Sequence, residues 1–294
     1  MIQKAVIPVA GSGTRLLPAT KEQPKEMLPV FSFGTDGMLC MKPLVQLVFE
    51  KLYDNGLREF CFIVGRGKRS IEDHFTLDLA LLHYLRRKRK FAIAEGLNRF
   101  YKRVSDCQIV FVNQPEPVGL GNAVLQARSF TGDDAFMVHA GDDFVLSRDD
   151  GYLKRLEEVF QRYEADAALC LKKVKDPTKY GIVEGEKICE NVYKVTGIKE
   201  KPARSASKLG VIAIYLFRES IYRFIRRTKP DAAGEIQLTD AIAHLIGNGG
   251  RAYGVELRAD ETRIDIGTPG SYWLALKETR RLGHRGHQLS MKTV

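Results

Sequence analysis

Residues 4–30 read Lys-Ala-Val-Ile-Pro-Val-Ala-Gly-Ser-Gly-Thr-Arg-Leu-Leu-Pro-Ala-Thr-Lys-Glu-Gln-Pro-Lys-Glu-Met-Leu-Pro-Val. The apolar run Ala5–Val9 has the composition of a buried strand, so Gly11 and Gly13 fall where the strand ends and the chain must turn. Amide N–H groups at such a turn converge on anionic oxygens, and glycine lets the backbone come close to them. Arg15 adds a planar fork of donors, and Lys25, held between Pro24 and Pro29, adds a point charge aimed at the same anion. The block differs from two better-known phosphate loops. A dinucleotide fingerprint needs a third glycine where Leu16 stands, and a P-loop needs Gly-Lys-Ser/Thr.

Outward from this block the first half of the chain alternates. Strand patterns at Ala5–Val9, Phe60–Val64, Gln108–Val112 and Ala135–His139 are separated by helical patterns at Leu44–Asn55, after Arg69, and from Asn122. Such βαβ order predicts an α/β fold, a doubly wound and mostly parallel Rossmann-like sheet whose ligands sit beyond the carboxyl ends of its strands. The phosphate loop, Gln114 and Asp142 each follow a strand, which places them at one crevice. The second half predicts a mixed-sheet extension: helix Tyr152–Tyr163, strand Ala167–Leu171, short strands near Ile182 and at Lys194–Lys199, and strand Leu209–Phe217. Helices Ser220–Arg227 and Leu238–Ile246, strand Tyr253–Leu257 and helix Ser271–Arg281 follow, with Trp273 expected to pack inside.

With 294 residues, 44% of them hydrophobic, the chain can bury one large core, and we expect a single domain over 1–283 with a basic tail, 284–294, of a composition compatible with disorder. No 18-residue apolar run occurs and no leader precedes the first strand, so a soluble, cytoplasmic protein that does not enter membranes is expected. The five cysteines are odd in number and lack a Cys-x-x-Cys pair, which argues against disulfide or zinc frameworks. Cys61 and Cys170 read as small core residues. The net charge of +10 is densest at Arg86-Arg87-Lys88-Arg89-Lys90, after a helix expected over Leu77–Arg89. No aromatic alternates with these cations, so a solvated helix end is expected rather than a nucleic-acid patch.

Together with the 9–30 block, six further segments carry a resemblance. They are Gln114 with Gly119-Leu120-Gly121-Asn122-Ala123-Val124, Gly141-Asp142-Asp143, Tyr180-Gly181-Ile182-Val183, Glu200-Lys201-Pro202, Gly234–Ile242 and Asp265-Ile266-Gly267-Thr268-Pro269. In this order they resemble the sugar-1-phosphate nucleotidylyltransferases, above all the bacterial-type UTP–glucose-1-phosphate uridylyltransferases.

The resemblance implies a Mg²⁺-dependent single displacement in which glucose-1-phosphate attacks the α-phosphorus of UTP, giving UDP-glucose and pyrophosphate. It assigns Arg15 and Lys25 to catalysis, and Ala10, Gly11, Ser12, Gly13, Thr14, Arg15, Lys25, Gln114 and Gly119 to the nucleotide. Gly181, Glu200 and Lys201 fall to the sugar phosphate, Asp142 and Asp265 to the metal. It also implies a homo-oligomer, dimer or tetramer. Gln114 suits the edge shared by uracil and thymine, so a dTTP-dependent or broad-specificity enzyme is the alternative within this chemistry, and a catalytically silent binding subunit the alternative outside it. Lys208 and Ala213-Ile214-Tyr215 depart from the family pattern, as does the longer link 30–42, to which no role is transferred.

Overall fold

The computed structural model describes residues 2–34, 37–147 and 149–290, the last nine of these by backbone alone. The first half contains β1 (Lys4–Pro8), β2 (Pro29–Phe33), β3 (Leu39–Pro43), α1 (Leu44–Asp54), β4 (Glu59–Val64), α2 (Arg69–His74), α3 (Leu79–Arg87), α4 (Phe91–Ser105), β5 (Gln108–Asn113), α5 (Leu120–Gln126), α6 (Arg128–Thr131) and β6 (Phe136–His139). Then come β7 (Asp143–Leu146), α7 (Gly151–Arg162), β8 (Ala167–Lys173), β9 (Gly181–Cys189), β10 (Val192–Glu200), β11 (Leu209–Phe217), α8 (Ile221–Arg227), α9 (Leu238–Gly247), β12 (Ala252–Glu256), β13 (Thr262–Asp265) and α10 (Pro269–Ser290).

Nine strands form the main sheet in the order β5-β4-β1-β6-β11-β8-β12-β10-β9. The four from the first half run parallel to one another, whereas β11 and β10 run antiparallel to their neighbours. This is the expected parallel core with a mixed extension. Both faces are buried because successive side chains of a strand point oppositely. Ile7, Phe60, Phe62 and Val64 pack with α1, α4 and α7 on one face; Val6, Cys61 and Ile63 pack with α5, α8 and α9 on the other. Burial pushes the Cys61 thiol up to about 12 and raises that of Cys170, as expected of core cysteines.

Several local expectations are corrected. Asp78 caps the helix expected over Leu77–Arg89 by accepting from Leu81 N at 2.8 Å, so α3 starts at Leu79. Arg89, at φ 56, turns the chain into α4. The α4 helix shows the stripe Ala94, Leu97, Phe100, Tyr101 and Val104, a helical period that directly follows the basic run. Trp273 is 70% exposed rather than packed. The α10 helix meets the body along one stripe, Tyr272, Ala275 and Thr279, and Trp273 lies about 100° around the helix from Tyr272. The same helix runs through 284–290, so the segment set apart as a tail begins inside it; residues 291–294 lie outside the described residues. The 30–42 link is the hairpin β2–β3.

Candidate active site

At the carboxyl edge of the parallel strands, β1 leads into the glycine turn, β4 into Gly65-Arg66-Gly67-Lys68, β5 into Gln114, and β6 into Gly141-Asp142. Gly13, at φ 65, takes the left-handed turn that glycine favours, and Thr20 Oγ1 donates to its carbonyl at 2.8 Å. A cleft of about 230 Å³ is lined by Ala10, Gly11, Ser12, Lys25, Lys68 and Gln114. A second of about 670 Å³ is lined by Arg15, Gly181, Glu200, Lys201, Arg263 and Asp265, among others. The glycine turn contributes to both, with Gly11 and Ser12 lining one and Arg15 the other. The larger is of the size that holds small-molecule ligands.

Gln114 is 4% exposed, and its amide donates to Asn122 Oδ1 at 2.9 Å and Gly119 O at 3.3 Å. Both N–H groups of that amide are thereby used, which leaves Oε1 as an acceptor. Gly119, at φ 101, brings the backbone against residue 236: Gly121 N donates to Ile236 O at 2.9 Å and Ile236 N to Val118 O at 2.8 Å. The 118–121 loop is thus stitched to the 234–237 loop that borders the larger cleft.

Lys25 Nζ lies 2.5 Å from Asp142 Oδ2, with both side chains partly buried. Burial alone would raise the Asp142 carboxyl, but Lys25 and Arg263 outweigh it and hold the group below the usual range. Burial likewise opposes the charge on Lys25, and Asp142 with Glu26 raises it nonetheless. The ribbon β7–β13 sets Asp265 opposite Asp143, and Ile266 N donates to Asp142 O at 3.0 Å. Asp142 and Asp265 are therefore backbone neighbours at one end of the ribbon. Asp143 points elsewhere: Arg263 Nε reaches both its oxygens at 2.8 and 2.9 Å, which makes it the structural partner, while Arg263 Nη1 lies 3.6 Å from Asp265.

Asp142 and Asp265 offer hard oxygen donors, the kind a divalent cation such as Mg²⁺ takes. Among the described residues no cluster of three or more potential metal ligands exists. An ion here would lean on two carboxylates and on substrate oxygens and water, the coordination Mg²⁺ prefers.

In the larger cleft Thr239 Oγ1 donates to Glu200 Oε2 at 2.9 Å, and Lys201 Nζ pairs with Glu200 Oε1 at 3.1 Å. A methyl group on Gly181 would stand 2.5 Å from Thr239 Cγ2 and 3.1 Å from Glu200 Oε2, so glycine here makes room for those side chains. Sequence reading missed Arg263 and Lys68. The signals were Arg263 in the alternating Arg263-Ile264-Asp265-Ile266, and two glycines interleaved with cations, Gly65-Arg66-Gly67-Lys68, directly after a strand.

The matching family model, described as nucleotidyl transferase, spans residues 4–281, and the chain belongs to that family. Within it the chain is similar to UTP–glucose-1-phosphate uridylyltransferase of Pseudomonas aeruginosa, at 36% identity over 82% of this chain and 84% of that protein. Among solved structures it resembles a UDP-glucose pyrophosphorylase complexed with UDP-glucose, with TM-score 0.81 and 30% identity over 96% of this chain and 99% of the other. A UTP-bound enzyme of the same name from Acinetobacter baumannii gives TM-score 0.84 at 30% identity over 99% of both chains.

Proposed function

We propose that this nucleotidyltransferase transfers a uridylyl group from UTP to glucose-1-phosphate, releasing pyrophosphate, with Mg²⁺ as its metal. The observation that carries the base is Gln114, whose amide hydrogens are spoken for and whose Oε1 is left to accept the N3–H of uracil. Cytosine presents an acceptor at N3, and leaving two acceptors face to face costs about 1–3 kcal/mol. The relatives named for UTP, glucose-1-phosphate and UDP-glucose support the same substrates.

Both substrates are anions, so the work of the site is charge suppression and alignment. The amides of residues 10–14 and the Lys25 ammonium receive the triphosphate. Arg15, on the rim of the larger cleft, lies between the two substrates. Glu200, fixed by Thr239 and Lys201, accepts from sugar hydroxyls, and Lys201 faces the sugar phosphate. Asp142 and Asp265 would hold Mg²⁺, and the ion would supply charge neutralisation at the phosphates. No side-chain nucleophile is needed, and the oxygen of glucose-1-phosphate attacks in line.

No described helix is long and apolar enough to cross a membrane. Cys61 and Cys170 are buried thiols rather than disulfide halves, which suits a reducing cytoplasmic setting. Exposed Met38, Leu39 and Met41 around the β2–β3 hairpin and Trp273 on α10 support assembly of copies, which sedimentation reads. Initial rates with UTP, dTTP, CTP, ATP and GTP at fixed glucose-1-phosphate test the base. UTP should lead and CTP fall well behind; a best rate with a purine nucleotide or CTP refutes the role of Gln114, and a dTTP rate far above UTP moves the assignment to thymidylyl transfer.

A further inference from the structure

Lys68 and Glu26 form a buried ion pair that no catalytic step uses. Their relative exposures are 6% and 1%, with Lys68 Nζ 3.0 Å from Glu26 Oε2. The same ammonium donates to the carbonyl of Gly11 at 2.7 Å. Three pieces of the site meet here. Gly11 belongs to the glycine turn after β1, Glu26 immediately follows the cation Lys25, and a methyl group on Gly141, the residue before Asp142, would stand 3.4 Å from Glu26 Cγ. Lys68 itself is anchored by its own backbone, its N–H donating to Gly65 O at 3.2 Å and its carbonyl accepting from Ile71 N at 2.9 Å at the head of α2.

Resting on the reading of the smaller cleft as the triphosphate site, we infer that Lys68 and Glu26 are positioning residues that lock the glycine turn and Lys25 into the geometry that receives the triphosphate. A trans peptide holds its C=O and the next N–H in opposite directions. The bond from Lys68 to the Gly11 carbonyl therefore fixes the direction of the Ser12 N–H, at a residue that lines the cleft. Glu26, bonded to the same ammonium, fixes the backbone from which Lys25 extends. A buried ion pair is weak evidence for stability, since apolar residues of similar volume often serve as well. Tying two anion-binding loops to one ammonium is a task that apolar packing does not reproduce.

The test compares wild type with Lys68→Met and with the pair Glu26→Gln/Lys68→Met, which leaves no lone buried charge. Steady-state kinetics yield separate KM values for UTP and glucose-1-phosphate, and thermal unfolding is followed alongside. Both variants should raise the KM for UTP about tenfold or more, the loss expected for one charge-assisted hydrogen bond. The KM for glucose-1-phosphate should stay within about twofold, because a smaller folded fraction lowers kcat without moving KM. The pair should regain thermal midpoint over the single variant and keep the raised KM. A UTP KM within about twofold of wild type in the pair variant overturns the inference and leaves a structural role alone. Calorimetric titration with inorganic tripolyphosphate, which needs neither base nor turnover, separates this result from a failure of the proposed reaction. Weaker binding in both variants supports the positioning role even if UTP proves the wrong nucleotide, and equal binding overturns it.

Discussion

Replacing Gly119 by Ala should weaken the protein and both of its substrate sites at once. Gly119 has φ 101 and ψ 165, a region that residues with a Cβ occupy only at a cost of about 1–3 kcal/mol. The new methyl would also stand 2.6 Å from Ile236 O and 2.7 Å from Ile236 N, and these are backbone atoms that cannot rotate away. Relief requires the 118–121 loop to part from residue 236, which breaks the bonds Gly121 N to Ile236 O and Ile236 N to Val118 O. At about 1 kcal/mol net for each bond, the total comes to about 3–5 kcal/mol. Urea unfolding reads the stability. Initial rates read the sites: because the parted loops carry Gln114's partner Gly119 on one side and the border of the larger cleft on the other, KM should rise for nucleotide and sugar phosphate together. A stability within about 1 kcal/mol of wild type with both KM values unchanged would refute the claim that this contact couples the two loops.

Lys25→Ala and Arg15→Ala should each slow turnover by about 10²–10³-fold, the range for removing one preorganised electrostatic donor; near-normal rates in either would return that residue to the surface. Asp142→Asn and Asp265→Asn should each raise the Mg²⁺ needed for half-maximal rate, and their effects should not add, as expected of two ligands proposed for one ion. Unchanged Mg²⁺ dependence in both removes them from the metal site. Burial lowers His139 and His74 to about 4, so each stays neutral in the folded protein while its unfolded counterpart takes up a proton below about 6.5. The unfolded state then binds more protons, and unfolding free energy should drop by up to about 2.7 kcal/mol per pH unit for the two together between pH 6.5 and 4. A flat urea-unfolding profile from pH 6.5 to 5 would contradict their neutral burial.

Much of this architecture is legible in the chain because its strands carry unbroken apolar runs, and each run from the first half is followed by a turn that bears chemistry. Gly11, Gln114 and Asp142 could be placed at one edge from that order alone. The mixed half is less legible. Its strand β9 alternates little, with Gly181 to Val183 buried and the six residues after them exposed, and β10 pairs with it through irregular register. Trp273 went astray because hydrophobicity says that a side chain is costly in water without saying which way a helix faces, and α10 has only one covered stripe. Gly181 fits its sequence motif, but the atoms nearest its missing Cβ are Thr239 and Glu200, a packing partner almost sixty residues away and another almost twenty. Arg263 and Lys68 escaped notice for a related reason: each acts through carboxylates brought near by the fold, Asp143 and Glu26, and neither pairing follows a local spacing.

In the proposed reaction two anionic substrates meet directly in this crevice: the phosphate oxygen of glucose-1-phosphate bonds to the α-phosphorus of UTP as pyrophosphate leaves, with no enzyme-bound nucleotide. The most direct measurement follows pyrophosphate release with UTP labelled in its α-phosphate, omitting in turn glucose-1-phosphate and Mg²⁺, and then examines the denatured protein for label. Release should require all three components, match UDP-glucose formed one for one, and leave the polypeptide unlabelled. Release that persists without glucose-1-phosphate, or label retained on the chain, would contradict the single displacement.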